Sequence, residues 1–137
     1  MNQKSNKAFT LIELLVVISI IAILSTIGLV YYGNFIKSSR DAKRQSDLKF
    51  IQSALEDYKA DQQSYPASLS VLTTGTRVYM SQIPSDPKPP PDYAYIQSGT
   101  SYCLYAQMEG TLPSSDQGCT SPPTGFTASK TYGVTRP

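Results

Sequence analysis

The chain has 137 residues and a formal net charge of +2, a length that fits one domain with only a small core. Histidine and tryptophan are absent, which removes the commonest general base and the commonest metal ligand. No nucleophile motif, glycine-rich phosphate loop or carboxylate cluster stands in their place, so the sequence excludes most enzyme classes and calls for no cofactor or catalytic metal.

Residues 1–8, MNQKSNKA, form a short basic leader with Lys4 and Lys7. Phe9 to Val30 follow as an unbroken apolar run whose one charge is Glu13. As a helix this run rises about 33 Å, against a hydrocarbon core of about 30 Å. A cleavable secretory signal would have an apolar region of about 7–15 residues ending at a small-residue site, and this run fits that pattern poorly. A retained single span at 9–30 is the expectation. Lysine and arginine flank both ends, so charge alone gives no orientation. The two cysteines, Cys103 and Cys119, favour an external C-terminal part, where one disulfide can persist.

The helix is predicted to continue past the span, over 31–64. Leu48, Ile51, Leu55 and Tyr58 recur at spacings of three, four and three, one amphipathic stripe. Asp47, Lys49, Gln52, Glu56, Asp57 and Lys59 between them are read as facing water. Gly28 and Gly33, each about 1 kcal/mol worse than alanine inside a helix, mark expected bending points. The helix should stop before Tyr65-Pro66, because the residue before proline avoids helical backbone.

Residues 65–137 are predicted to form a small β-rich head with an irregular tail. Thr76–Met80, Asp92–Ile96 and Tyr102–Gln107 are strand candidates. The proline-rich segment 85–91 reads as an extended loop, and 111–137 as irregular or partly disordered. A small antiparallel sheet packed on the helical stripe gives an α+β fold with a long N-terminal α-helix, half in the membrane and half covered by the head.

Glu13 carries the chemistry. A lone carboxylate in an apolar span costs a few kcal/mol and marks a functional site by default. No lysine or arginine lies near it within the span. Cleavage between Ala8 and Phe9 would create an amine four residues before Glu13, and the amine of one helix could meet the carboxylate of a staggered neighbour. A glutamate that snorkels to the interface or takes up a proton is the alternative reading of the same residue.

Lys7-Ala8-Phe9-Thr10-Leu11-Ile12-Glu13-Leu14, with the basic leader before it and the apolar run after it, resembles the class III signal of type IV prepilins and type II secretion pseudopilins. The likeness is tight over residues 4 to about 30 and looser to about 66. It implies a pilin-like fold, removal of residues 1–8 by a membrane prepilin peptidase, and N-methylation of Phe9. Glu13 would direct assembly, helices would form the filament core, and an assembly ATPase and an inner-membrane platform protein would drive extrusion. The implied location is the bacterial inner membrane for a single-pass precursor, then an extracytoplasmic or cell-surface filament of this chain and minor pilins. The sequence departs from the family's pattern in having Ala8 where glycine is usual and Val30 where proline is common.

Within that family, Tyr65-Pro66, Ile83-Pro84-Ser85-Asp86-Pro87 and Tyr93-Ala94-Tyr95 resemble the major pseudopilin of type II secretion. The Cys103–Cys119 pair resembles instead the C-terminal disulfide loop of type IV pilins, worth about 3 kcal/mol for a loop of about 15 residues. Major pseudopilins bind calcium in an acidic C-terminal loop, but Asp116 is the one carboxylate after Glu109, so no calcium site is expected. Lys37, Arg40, Lys43, Arg44 and Lys49 read as a solvated helix face meeting lipid headgroups or a neighbour's acids. Without interleaved aromatics they argue against nucleic acid as a partner. A membrane-anchored binding module that stays monomeric, and a DNA-uptake pilin, are the competing functions.

Overall fold

The computed structural model describes residues 9–111, 119, 121–127 and 130–135, without the side chains of residues 29 and 30. The expected leader, Ala8 with it, and Asp116 lie outside the described residues. One helix, α1, runs from Leu11 to Gln62. A 3-10 helix spans Leu69–Thr73, and three strands follow: β1 (Ala94–Ser98), β2 (Ser101–Gln107) and β3 (Thr131–Val134). They form one antiparallel sheet in the order β1-β2-β3. The architecture is the expected α+β, pilin-like one. The chain divides into two compact units, the first ending at Ile36 and the second starting at Lys37.

In the first unit, every described side chain from Phe9 to Phe35 is exposed. Such an all-round apolar surface finds no cover within this unit among the described residues and is suited to lipid or other helices around it. Two of its hydroxyls turn back onto the helix: Ser19 donates to the Leu15 carbonyl at 2.8 Å and Thr26 to that of Ile23 at 2.7 Å. A donor that returns to its own helix costs less in an apolar medium than one left open.

The helix ends where the sequence requires. Gln63 adopts φ 59°, and its N–H donates to the Lys59 carbonyl at 2.8 Å, a left-handed cap just ahead of Tyr65-Pro66.

In the second unit, Leu48, Ile51, Ala54 and Leu55 of α1 are buried against Leu72, Tyr65, Tyr102, Leu104, Ala106 and Val134. The side chains of β2 alternate as a strand must. Tyr102, Leu104 and Ala106 face the helix, and Cys103 and Tyr105 face away. Tyr105 is nonetheless buried, because Cys119, Ser121 and Phe126 lie on that side of the sheet. Its phenol donates to the Ser121 carbonyl at 3.0 Å, and its ring meets Phe126 at 6.2 Å between centroids. The head therefore has two apolar layers, one on each side of β2.

Three expectations are corrected. Thr76–Met80 is irregular: the Tyr79 and Met80 amides both donate to the Leu72 carbonyl, at 2.9 and 3.2 Å, instead of to a strand. Tyr79 is held by an edge-on contact with Tyr58 at 5.2 Å and by its phenol on Asp61 at 3.0 Å. The tail is not irregular throughout, since β3 completes the sheet with Leu104 opposite Val134 and Tyr105 opposite Gly133. Asp47 does not face water; it is buried and accepts the Tyr93 hydroxyl at 2.8 Å.

Candidate assembly site

Glu13 is the third residue of a helix whose cap is Thr10. The Thr10 N–H donates to Glu13 Oε2 at 2.8 Å and the Thr10 hydroxyl to the same oxygen at 2.7 Å. The Glu13 N–H returns to Thr10 Oγ1 at 3.3 Å. This reciprocal arrangement is a capping box, which satisfies donors that the first turn of a helix leaves open. The helix dipole favours a negative charge at that end.

The box bears on the chemistry in two ways. It supplies the Glu13 carboxylate with two local donors from Thr10. It also turns the carboxylate toward the N-terminal end of α1. Both bonds fall on Oε2, and Oε1 has no donor among the described residues. Phe9, next to the box, is exposed. Sequence reasoning missed Thr10, although a threonine three residues before a glutamate at the head of an apolar run is the signature of such a box.

The head is organised around a second polar centre. Arg44 is 2% exposed. Its Nε and Nη2 close on Asp86 at 2.6 and 2.8 Å, and its Nη1 reaches Asp41 at 2.7 Å and Glu109 at 3.1 Å. Arg40 grips Glu109 through Nε and Nη2, both at 2.6 Å. Asp41 also accepts the backbone N–H groups of Glu109 and Gly110, at 3.0 and 2.8 Å. The hydrogen bond from Arg40 holds the Glu109 carboxyl down to about 2; partial burial opposes it and Arg44 adds to it.

Arg40 and Arg44 are thus no part of a solvated band. They are internal counter-ions that tie α1 to the segment before β1 and to the end of β2. A buried charge is tolerated when it is paired and hydrogen-bonded, and each of the three nitrogens of Arg44 has a carboxylate partner.

Calcium, implied by the family resemblance, takes six to eight oxygen ligands. The head carboxylates that converge, Asp41, Asp86 and Glu109, are committed to the two guanidiniums. The described residues do not fit that ion. Cys103 and Cys119, 16 residues apart in sequence, are bonded with 5.6 Å between their Cα atoms.

A long apolar helix opening on a capped acid, and a small sheet packed on the same helix further along, define a pilin-like subunit with a prepilin-type N-terminus. Residues 3–29 match the prokaryotic N-terminal methylation motif. The chain is 34% identical over 102 residues to the type II secretion system core protein G of Klebsiella michiganensis, an alignment covering 64% of this chain and 71% of that protein. No solved structure matches the chain. The chain belongs to the family of type II secretion system core protein G, the major pseudopilins.

Proposed function

We propose that the chain is the repeating structural subunit of a type II secretion pseudopilus, with no catalytic role of its own. Cleavage between Ala8 and Phe9 by a prepilin peptidase frees an amine, N-methylated at Phe9. The Glu13 carboxylate of one subunit accepts that amine from a neighbouring copy, and the exposed apolar face of α1 packs with others in the filament core. The observation that carries this reading is the capped Glu13, its Oε1 without a donor among the described residues, on a helix end that matches a methylation motif.

The capping box makes the assembly step physically reasonable. A carboxylate already oriented by Thr10 loses little rotamer freedom when it accepts a further donor. In a medium of low dielectric the added Coulomb attraction is large, and pairing removes a net charge from the apolar core. The partners in this reading are further copies of the chain, minor pilins, the peptidase, and an inner-membrane platform protein with its ATPase. The precursor is a single-pass protein of the inner membrane, and the polymer is extracytoplasmic.

Two measurements test the reading. The mass of the N-terminal peptide from protein in its native envelope should start at methylated Phe9. Glu13→Gln should be inserted and cleaved yet be absent from sheared or cross-linked polymers. A chain that keeps Met1 and stays monomeric would instead be an anchored binding module. Polymers of the Glu13→Gln chain at the normal level would remove the pairing role and leave the family assignment intact.

A further inference from the structure

The apolar span is followed at once by three exposed aromatic side chains. Tyr31, Tyr32 and Phe35 are 70%, 67% and 69% exposed. At positions i, i+1 and i+4 they lie on one side of α1. Their chemistry differs from that of the residues before them, since each tyrosine joins a flat apolar ring to a hydroxyl. Such side chains gather where hydrocarbon meets headgroups, and a single-pass helix has one such boundary at each end of its span. The patch is continuous with the apolar run, which fixes what covers it.

We propose that Tyr31, Tyr32 and Phe35 bind the phospholipid headgroup region on the head side of the bilayer and set the depth of the helix. The consequence lies at the other end. Glu13 and Tyr31 are 18 residues apart in an unbroken helix, about 27 Å. With the patch held at one boundary of a hydrocarbon core of about 30 Å, the Thr10–Glu13 box reaches the opposite boundary. Glu13 and Phe9 then stand at headgroup level. This inference rests on the reading of residues 9–30 as a membrane span.

The absence of tryptophan makes the test direct, because any tryptophan introduced is the sole one in the chain. Three full-length variants, Ile12→Trp, Ile20→Trp and Tyr32→Trp, are reconstituted in phosphatidylcholine vesicles. The lipid carries bromine either high in the acyl chain or near its methyl end. Tyr32→Trp and Ile12→Trp should be quenched chiefly by the shallow bromine and Ile20→Trp chiefly by the deep one. In the Ile12→Trp chain, replacing Tyr31, Tyr32 and Phe35 together by alanine should shift the reporter by about one helical turn, about 5 Å.

Those aromatics are exposed and form no part of the head's core, so the head stays folded in that variant. A Tyr32→Trp reporter quenched chiefly by the deep bromine, or by neither, overturns the proposal, as does an Ile12→Trp depth that ignores the alanine replacements. Failure of the deep bromine to quench Ile20→Trp overturns the span itself, a separable result.

Discussion

Replacing Arg44 by leucine removes the one cation that meets three carboxylates at once. Asp86, whose side chain is 1% exposed, would then be a buried charge without a counter-ion. Breaking a buried pair from one side costs about 3–5 kcal/mol. The head is small and marginal, so that loss is a large part of its stability. Arg44→Leu should lower the urea midpoint of the head sharply in detergent. Arg44→Lys should recover little, because an ammonium cannot span both Asp86 oxygens and still reach Asp41. A midpoint for Arg44→Leu within error of the parent would show that the carboxylates find other donors.

Gly133 is constrained by contact. A Cβ there would stand 2.7 Å from the Cβ of Cys119, closer than two such carbons approach. Gly133 lies opposite Tyr105 on the outward face of the sheet, and Cys119, bonded to Cys103, sits against that face. Gly133→Ala should destabilise by about 1–3 kcal/mol, as overpacking does. Thermal unfolding with and without reductant checks the cause: the deficit should shrink once the Cys103–Cys119 bond is cut and Cys119 can withdraw. An equal deficit in both states would place the strain in the backbone of β3 instead.

Among the elements, α1 is legible because its physics is local. An apolar run of span length, a stripe at helical spacing and a Pro66 stop all lie in contiguous sequence. The Thr10–Glu13 box is equally local, but its donors are neutral and a reading by charge does not reveal them. The strands are less legible. Thr76–Met80 has β-favouring residues, but its amides go to Leu72, a partner that spacing does not reveal. β3 is four residues with a glycine inside, weak by propensity, and it forms where β2 offers it an edge and the disulfide holds Cys119 beside Gly133. The charges of 40–47 alternate as a solvated face does, and only the fold brings Asp86 and Glu109 to them.

That account of β3 gives a prediction at the same scale. The disulfide closes a loop of about 16 residues, which the chain-entropy picture values at about 3 kcal/mol. Reduction should therefore lower stability by about that amount. It should also raise amide exchange in β3 and around Tyr105 before β1 or the helical core responds. Uniform exchange across the sheet on reduction would mean that the bond serves the whole head and not its outer layer.

At the scale of the whole molecule, the titratable groups set a broad window of stability with steep sides. Glu109 has its carboxyl held at about 2 in the fold, below its ordinary value of about 4.3. A depressed carboxyl contributes stability that is complete above the unfolded value and is lost as pH falls through the folded one. On this count the head weakens from about pH 4 down to about pH 2. Tyr95 is displaced the other way, pushed up to about 12 chiefly by burial, from an ordinary value of about 10. Burial likewise raises Tyr93 and Tyr102.

A buried phenol that must stay protonated contributes stability that is complete below its unfolded value and is lost as pH rises toward the folded one. The head should therefore weaken again above about pH 10. Between these limits the chain has no histidine, the side chain whose ordinary value lies there. Urea midpoints measured from about pH 2 to about pH 12 should trace a flat plateau between about pH 5 and about pH 9 with a fall on each side. Glu109→Gln should reduce the acid slope and leave the alkaline one. A midpoint that changes within the plateau would require an ionisable group that the fold does not place, and would contradict an ion-pair centre built from carboxylates and guanidiniums alone.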